Sequence, residues 1–225
     1  MQFNEAQIQA IQHNTGPCMV IAGPGSGKTT VLTHRVRYLI ERYGVNPSDI
    51  LVITFTKAAA EQMKLKFKGL SEGRNSAVTF GTFHAVFFTI LKAAYNYSAH
   101  CIIKPQIQHE FVKDQMCRLE LEYDDENEAV AGVLSEISCV KGEDVNIDEY
   151  ESRCIPPQSF RIMYRAYDDM LVRKHLIDFD DMIVQCRELL MQREDYRRAW
   201  QNKYKYILID EFQDINKAQF DVVRI

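Results

Sequence analysis

The stretch AGPGSGKTT, residues 22–30, places three glycines within five residues and follows them with one lysine and two threonines. The residues just before it, PCMVIA, are apolar and partly β-branched, which is typical of a short buried strand. After it, apolar residues recur at helical spacing at positions 31, 32, 36, 39 and 40. The glycines are therefore predicted to form a turn between a strand and a helix.

A strand-to-helix turn presents free backbone N–H groups at the positive end of a helix dipole. Glycines leave those groups open to a phosphate, Lys28 can reach the β and γ phosphates, and the Thr29 hydroxyl can bind Mg²⁺. The alternative is a chance glycine-rich turn. We expect the whole loop to hold ATP: Ala22, Gly23, Pro24, Gly25, Ser26, Gly27, Lys28, Thr29 and Thr30.

A second stretch, YILIDEFQD, supplies carboxylates where a magnesium nucleotide site needs them. Its apolar residues predict a strand that ends at Asp210 and Glu211. Asp210 would hold Mg²⁺, and Glu211 would orient or deprotonate the attacking water. A strand that ends in two solvated acids is the alternative, and the glycine-rich loop argues against it.

Composition bounds the class of protein. The chain has 225 residues, with 46% hydrophobic and 26% charged residues, which is ordinary for a globular protein. It shows neither an apolar run of about 18 residues nor a signal peptide at its N-terminus, so we expect a cytoplasmic protein with no membrane partner. Its net charge of −4 still allows a local DNA groove. The six cysteines lack zinc-ligand spacing, which favours reduced thiols.

Strand and helix patterns alternate along most of the chain. Strands are predicted at 18–22, 50–55, 77–83 and 206–210, which indicates an α/β fold with a parallel sheet flanked by helices. From 97 to 174 the pattern is helical only, with Gly142 expected to end one helix and Pro156–Pro157 to precede the next. We therefore predict a P-loop, RecA-like domain, 1–96 with 175–225, interrupted by an all-helical inserted subdomain, 97–174.

The motifs of the chain resemble, in kind and in order, those of the UvrD/Rep/PcrA-type superfamily 1 DNA helicases. The resemblance covers nearly the whole chain, and the DExQD tetrad is its most specific element. The motifs are FNEAQIQAI at 3–11, AGPGSGKTT at 22–30, ITFTKAAAEQM at 53–63, GTFHA at 81–85, LIDFDDM at 176–182 and ILIDEFQDIN at 207–216. The family's fold implies that 176–182 returns the chain to the motor domain.

The resemblance also implies roles for residues of the nucleotide site. Gln7 would read the adenine edge, and Gln213 would sense the nucleotide state and link it to DNA. Each has a plainer alternative. Asn4 and Gln7 form an N-x-x-Q pattern that can cap the first helix, and Gln213 can be a solvated glutamine at the start of a helix.

A DNA-binding set is implied by the same resemblance. Phe55 would stack on a base, and polar groups at strand ends would contact phosphates from one side of the sheet. The members of this set are Phe55, Thr56, Lys57, Thr82, Phe83 and His84. For Phe55 a place in the core is the alternative, and an isolated histidine such as His84 is more often structural.

Two positions depart from the family pattern. The segment TFTKAAA lacks the asparagine that many relatives carry before the lysine of TFTNKAA, so it is one residue shorter up to that lysine and the local loop can differ. Thr30 stands where many relatives carry an arginine that lies against the base, which predicts weaker or different adenine packing.

The family's later motifs have no counterpart in the chain. They include arginines that reach the γ-phosphate from a second motor lobe, and such groups contribute about 10³–10⁵ in rate. We therefore expect an N-terminal part of a 3′–5′ DNA helicase that acts on single-stranded DNA and duplex junctions with its C-terminal motor lobe. The part alone should bind Mg-ATP weakly and neither hydrolyse it briskly nor unwind DNA. The alternatives are a nucleotide-gated DNA-binding or scaffold module and a helicase–nuclease subunit.

Overall fold

The computed structural model describes residues 3–71 and 77–225. These residues contain ten α-helices and three β-strands. The strands are Ile50–Thr54 (β1), Thr79–Thr82 (β2) and Tyr206–Ile209 (β3). The helices are Glu5–Gln12 (α1), Lys28–Tyr43 (α2), Lys57–Leu70 (α3), Phe83–Tyr95 (α4), Pro105–Arg118 (α5), Glu126–Glu143 (α6), Pro157–Arg173 (α7), Phe179–Gln192 (α8), Glu194–Lys203 (α9) and Lys217–Arg224 (α10).

The three strands form one parallel sheet in the order β2-β1-β3. Strand β1 lies in the middle, and its sequence ILVIT is buried throughout, as expected for a central parallel strand. Thr54 pairs with Thr82, and Ile53 pairs with Ile209, so the carboxyl ends of the three strands lie at one edge. The sheet and its flanking helices confirm the predicted α/β class.

The prediction of a strand at 18–22 is wrong. This segment has no regular secondary structure, and it pairs with no strand among the described residues. Its apolar side chains are largely solvent-exposed, and Ile21 reaches 92% exposure. Composition fits a buried strand here, but a strand needs a ladder partner, and the described residues supply none.

The chain divides into two compact units, Met1–Val86 with Asp195–Asp214 and Phe87–Glu194 with Ile215–Ile225. In the first unit, a core of eight buried residues joins the sheet to α2 and α3: Val36, Leu39, Ile50, Val52, Met63, Phe67, Val78 and Leu208. These units begin and end at other residues than the domains expected from the sequence, so that division stays a prediction.

The second unit is helical, as the pattern between 97 and 174 predicts. Its core includes Val112 of α5, Val133 of α6 and Phe160 of α7. The expectation that Gly142 ends a helix is wrong, because α6 continues to Glu143 and left-handed Asp144 caps it. The absence of a side chain at Gly142 has another cause: a Cβ there would lie 2.9 Å from the Asn216 amide.

Among the residues that the structure describes, no helix is both long and apolar enough to cross a membrane.

Candidate nucleotide and nucleic-acid site

The glycine-rich loop leads directly into α2. Gly25 and Gly27 have φ angles of 75° and 84°, in the left-handed region that favours glycine. Gly27 is the N-cap residue, Lys28 is the first residue of α2, and the Gly27 carbonyl accepts from Val31 N–H at 2.9 Å. The first turn of a 16-residue helix therefore opens toward the loop, which is an arrangement that binds anions.

Gln7 of α1 uses both ends of its amide, one to hold the glycine-rich loop and the other to cap its own helix. Its Nε2 donates to the Ser26 carbonyl at 3.1 Å, and its Oε1 accepts from the Asn4 N–H at 3.0 Å. Asn4 Oδ1 in turn accepts from the Gln7 N–H at 2.8 Å, which completes a capping box. The structure therefore contains the cap that the sequence offered as the alternative. The amide keeps one N–H and one oxygen lone pair beyond these two bonds, so the cap does not by itself exclude an adenine contact.

Lys28, Glu211 and Gln213 lie together at the carboxyl end of β3. Lys28 Nζ donates to Glu211 Oε2 at 3.1 Å, and Gln213 Nε2 donates to the same oxygen at 2.7 Å. The Lys28 and Glu211 side chains are 33% and 36% exposed, so ligand and solvent can reach this pair. Three residues expected to act on the nucleotide are thus in direct contact.

The two neighbouring carboxyl groups have opposite electrostatic environments. Hydrogen bonds from Gln213 and Lys28 lower the pKa of Glu211. Burial, followed by repulsion from Glu211, raises the pKa of Asp210. Asp210 N–H donates to the Ile53 carbonyl at 2.9 Å, which fixes it against β1. A cation bound beside Asp210 would oppose both effects and favour its ionised form.

The backbone of Glu211 is also unusual. Its φ angle is 52°, in the left-handed region, where a non-glycine residue costs on the order of 1 kcal/mol. Strain of this kind is typical of functional sites. The strain turns the chain directly after β3 and leaves Glu211 at the start of the DEFQD turn, beside Lys28.

The residues expected to bind DNA lie where β1 and β2 end. Phe55 is 37% exposed, and its ring meets Phe83 edge-on at 5.8 Å. Phe83 is buried, so the Phe55 ring rests against a fixed core side chain. Burial lowers the pKa of His84, which favours a neutral imidazole.

Two threonines of the same edge cap helices. Thr56 Oγ1 accepts from Ala59 N–H at 3.1 Å, and Thr82 Oγ1 accepts from Ala85 N–H at 3.2 Å. A hydroxyl that accepts in this way can still donate its proton to a phosphate. Lys57 comes after Thr56 as the first, exposed residue of α3. Five of the six residues at 55–57 and 82–84 are at least partly exposed, and the structure brings them to one edge of the sheet. Phe83 is the buried exception.

Comparison with known proteins supports what the geometry indicates. Residues 3–225 match the UvrD/REP helicase N-terminal domain. The chain belongs to this family. The UvrD/REP match starts before the α1 capping box and ends after α10, so the nucleotide loop, the DEFQD turn and the helical unit are all included.

Several curated relatives resemble the UvrD/REP chain throughout. ATP-dependent DNA helicase Rep of Escherichia coli is 34% identical over 100% of this chain and 34% of its own length. ATP-dependent DNA helicase PcrA of Staphylococcus epidermidis is 31% identical over 99% of the chain and 31% of its own length. PcrA of Staphylococcus aureus is 30% identical over 99% of the chain and 31% of its own length. The chain thus spans about a third of the length of these relatives.

Sequence reasoning missed a buried ionic cluster in the helical unit of this UvrD/REP chain. Lys141 Nζ donates to Asp181 at 2.7 Å and to Asp178 at 3.0 Å, and it pairs with Asp168 at 3.0 Å. Two of these acids belong to the LIDFDDM motif, for which the resemblance implies only a return of the chain. The sequence signal is a lysine on the apolar face of a helix. It does not say which of the many acidic residues pair with that lysine, and only the folded structure identifies them.

Proposed function

We propose that this chain is the ATP-binding N-terminal part of an ATP-dependent DNA helicase that moves 3′ to 5′ on single-stranded DNA. The observation that carries the proposal is the contact of Lys28, Glu211 and Gln213 beside a glycine-rich loop at the start of α2. In this arrangement Glu211 holds Lys28 at the place where the γ-phosphate would compete for it.

Each nucleotide-site residue has a chemical role in this proposal. Lys28 moves from Glu211 to the phosphates, and the freed Glu211 carboxylate orients the attacking water. The Gln213 amide, which now donates to Glu211, transfers its hydrogen bond when Glu211 turns to water. This exchange of partners would couple nucleotide state to the DEFQD turn.

A magnesium ion fits the donor set at this end of the sheet. The Asp210 carboxyl is half-buried, and the Thr29 hydroxyl belongs to the first turn of α2, directly after Lys28. Bound there, Mg²⁺ would neutralise phosphate charge. Thr29 would hold it directly, and Asp210 would hold it through a water molecule.

DNA would bind across the ends of β1 and β2. The half-exposed Phe55 ring offers a stacking surface that Phe83 supports, and Lys57 and the Thr56 and Thr82 hydroxyls offer phosphate contacts. The chain would act on DNA together with a C-terminal motor lobe of the same protein. We expect the purified chain to bind Mg-ATP and to hydrolyse it slowly, because phosphoryl transfer depends on arginines that the motifs of this chain do not provide.

The test is direct nucleotide binding by the purified chain, measured by calorimetry. Lys28→Ala should weaken Mg-ATP binding at least tenfold. The control is Lys203→Ala, which removes an exposed lysine at the end of α9 and should leave the affinity unchanged. Equal affinity of the two variants would overturn the nucleotide site. Brisk DNA-stimulated hydrolysis that Lys28→Ala abolishes would show that the chain already holds its catalytic arginines.

The DNA half of the proposal has its own variant pair. Phe55→Ala should weaken binding of a 20-nucleotide oligothymidine, with a loss of about 1–3 kcal/mol for the stacked base. Tyr123→Ala removes an aromatic of similar exposure, 39%, from the helical unit and should have no effect. Oligothymidine binding that ignores Phe55 would favour a nucleotide-gated scaffold module over a motor that grips DNA.

A further inference from the structure

Helix α3 carries its exposed lysines in a regular arrangement. Lys57, Lys64 and Lys68 recur at spacings of seven and four residues, which places them within about 40° of one another around the helix axis. We call these three residues the lysine stripe. It runs about 16 Å along α3, because a helix rises about 1.5 Å per residue.

The fold holds the lysine stripe on an exposed flank of the helix. Ala60, Met63 and Phe67 are buried against the rest of the unit, and they lie about 100° around the axis from the stripe. All three lysines are exposed. Within residues 3–71 and 77–225, no hydrogen bond or ion pair engages any of their ammonium groups.

The positive charge of the lysine stripe favours binding of a polyanion. Its one acidic neighbour in the same sector is Glu61, so three positive charges face one negative charge. The chain as a whole carries a net charge of −4, which makes a basic flank a local exception to the general repulsion of DNA.

The composition of this flank favours double-stranded over single-stranded DNA. Single strands are held by aromatic side chains on which bases stack. The exposed large hydrophobic residue of α3 is Leu65, however, and its one aromatic residue, Phe67, is buried. A duplex instead presents a dense row of phosphates, about one charge per 1.7 Å of axis. Lys64 and Lys68, about 6 Å apart along the helix axis, thus match about two base pairs of duplex backbone.

We propose that Lys64 and Lys68 bind the phosphate backbone of duplex DNA, while Phe55 and Lys57 at the beginning of α3 contact the single strand. This assignment rests on the proposed function, because it places the duplex beside the single-strand site. Helix α3 then spans the junction between the two forms of DNA.

The test measures binding of a blunt 20-base-pair duplex to the whole chain by fluorescence anisotropy over a range of salt concentrations. Lys64→Gln and Lys68→Gln should each weaken duplex binding about five- to tenfold at 0.1 M salt, and each should reduce the slope of log K against log salt by about 0.9. Lys64→Arg and Lys68→Arg should retain both affinity and slope.

Two matched variants on the same helix control for charge and folding. Lys66 is equally exposed but lies about 160° from Lys64 and Lys68 around the axis, so Lys66→Gln should change duplex affinity less than twofold. Glu61→Gln should tighten duplex binding. If Lys64→Gln and Lys68→Gln behave like Lys66→Gln, or if the duplex does not bind, the proposal is wrong.

Oligothymidine separates this proposal from the proposed function. Lys64→Gln should leave oligothymidine binding within twofold, whereas Phe55→Ala should weaken it. Single-strand binding without duplex binding would overturn the lysine stripe and leave the proposed function standing. If the unmodified chain does not bind oligothymidine, the proposed DNA-binding function itself is wrong.

Discussion

Two lysines in this molecule each hold carboxylates, but in opposite surroundings. Lys28 meets Glu211 at the open end of the sheet, where both side chains are about a third exposed. In the helical unit, Lys141 is 4% exposed and contacts Asp178, which is 3% exposed, as well as Asp181 and Asp168. One ion pair is accessible to a ligand, and the other is closed to it.

The contrast separates charges that are available for binding a ligand from charges that stabilise the fold. An exposed pair contributes little to stability and can exchange partners at low cost. A buried charge has lost its hydration and depends on the partners that the fold provides. Substitutions in both regions test this contrast, and the largest effect is expected in the buried cluster.

Lys141→Met should destabilise the chain most, because it leaves buried carboxylates without their cation. We expect a loss of about 3–5 kcal/mol in the free energy of unfolding, measured by urea denaturation. Adding Asp178→Asn should recover part of the loss, since asparagine keeps the cap of α8 and removes one buried charge. A loss below about 1 kcal/mol for the single variant would contradict the buried-cluster interpretation.

The same cluster should make stability depend on pH through Asp181. Burial, followed by repulsion from Asp178, raises the pKa of Asp181 to about 6. The folded state then binds more protons than the unfolded state between pH 4 and pH 6, so this group lowers stability as pH rises through that window. Asp181→Asn removes the effect.

The measurement compares the free energies of unfolding of Asp181→Asn and the unmodified chain at pH 4 and pH 7. The variant should gain on the order of 1–3 kcal/mol relative to the unmodified chain across this range. A difference that stays constant with pH would contradict the raised pKa.

Arg187 should show an intermediate effect. Its guanidinium donates to both oxygens of Asp144, at 3.0 and 3.2 Å, and lies 3.7 Å from Asp221 of α10. Arg187→Gln should cost about 1–3 kcal/mol of unfolding free energy by thermal denaturation, because the arginine is largely buried. Asp221→Asn is the matched control on the weaker, longer contact and should cost under about 1 kcal/mol.

Lys28→Gln should have the smallest effect on stability and the largest on nucleotide binding. Because the pair with Glu211 is exposed, we expect a change within about 0.5 kcal/mol by urea denaturation. A loss comparable to that of Lys141→Met would show that Lys28 is structural, and the contrast between the two lysines would not hold.

Local patterns are sufficient to predict most of the fold. The pattern ILVITF predicts β1, because buried central strands are short, continuous apolar runs. The shorter run YILID predicts β3, which lies at the edge of the sheet and is only partly buried. The glycine-rich loop predicts the start of α2 at Lys28. The strand at 18–22 could not be rejected from sequence, since its apolar character matches a strand and only pairing decides the outcome.

The candidate site is predictable in part for a related reason. Residues that are close in the chain, such as 22–30, form a loop whose conformation follows from its local sequence. In a parallel sheet, the residues that come directly after each strand lie at the same edge. The partner that a side chain selects is not predictable in this way. Gln7 uses its amide for Asn4 and Ser26, and Lys141 gathers acids from α7 and α8, although Ser26 and these acids lie many residues away in the chain.

The uncovered segment beside the nucleotide loop has a practical consequence. Within the described residues, β3 pairs on one side only, and Met19, Val20 and Ile21 remain open to water. An unpaired strand edge is a template for addition of an extended segment from another molecule, and exposed apolar side chains favour such association. Concentrated solutions of this chain should therefore self-associate, and a charged residue in place of Ile21 should keep the protein dispersed.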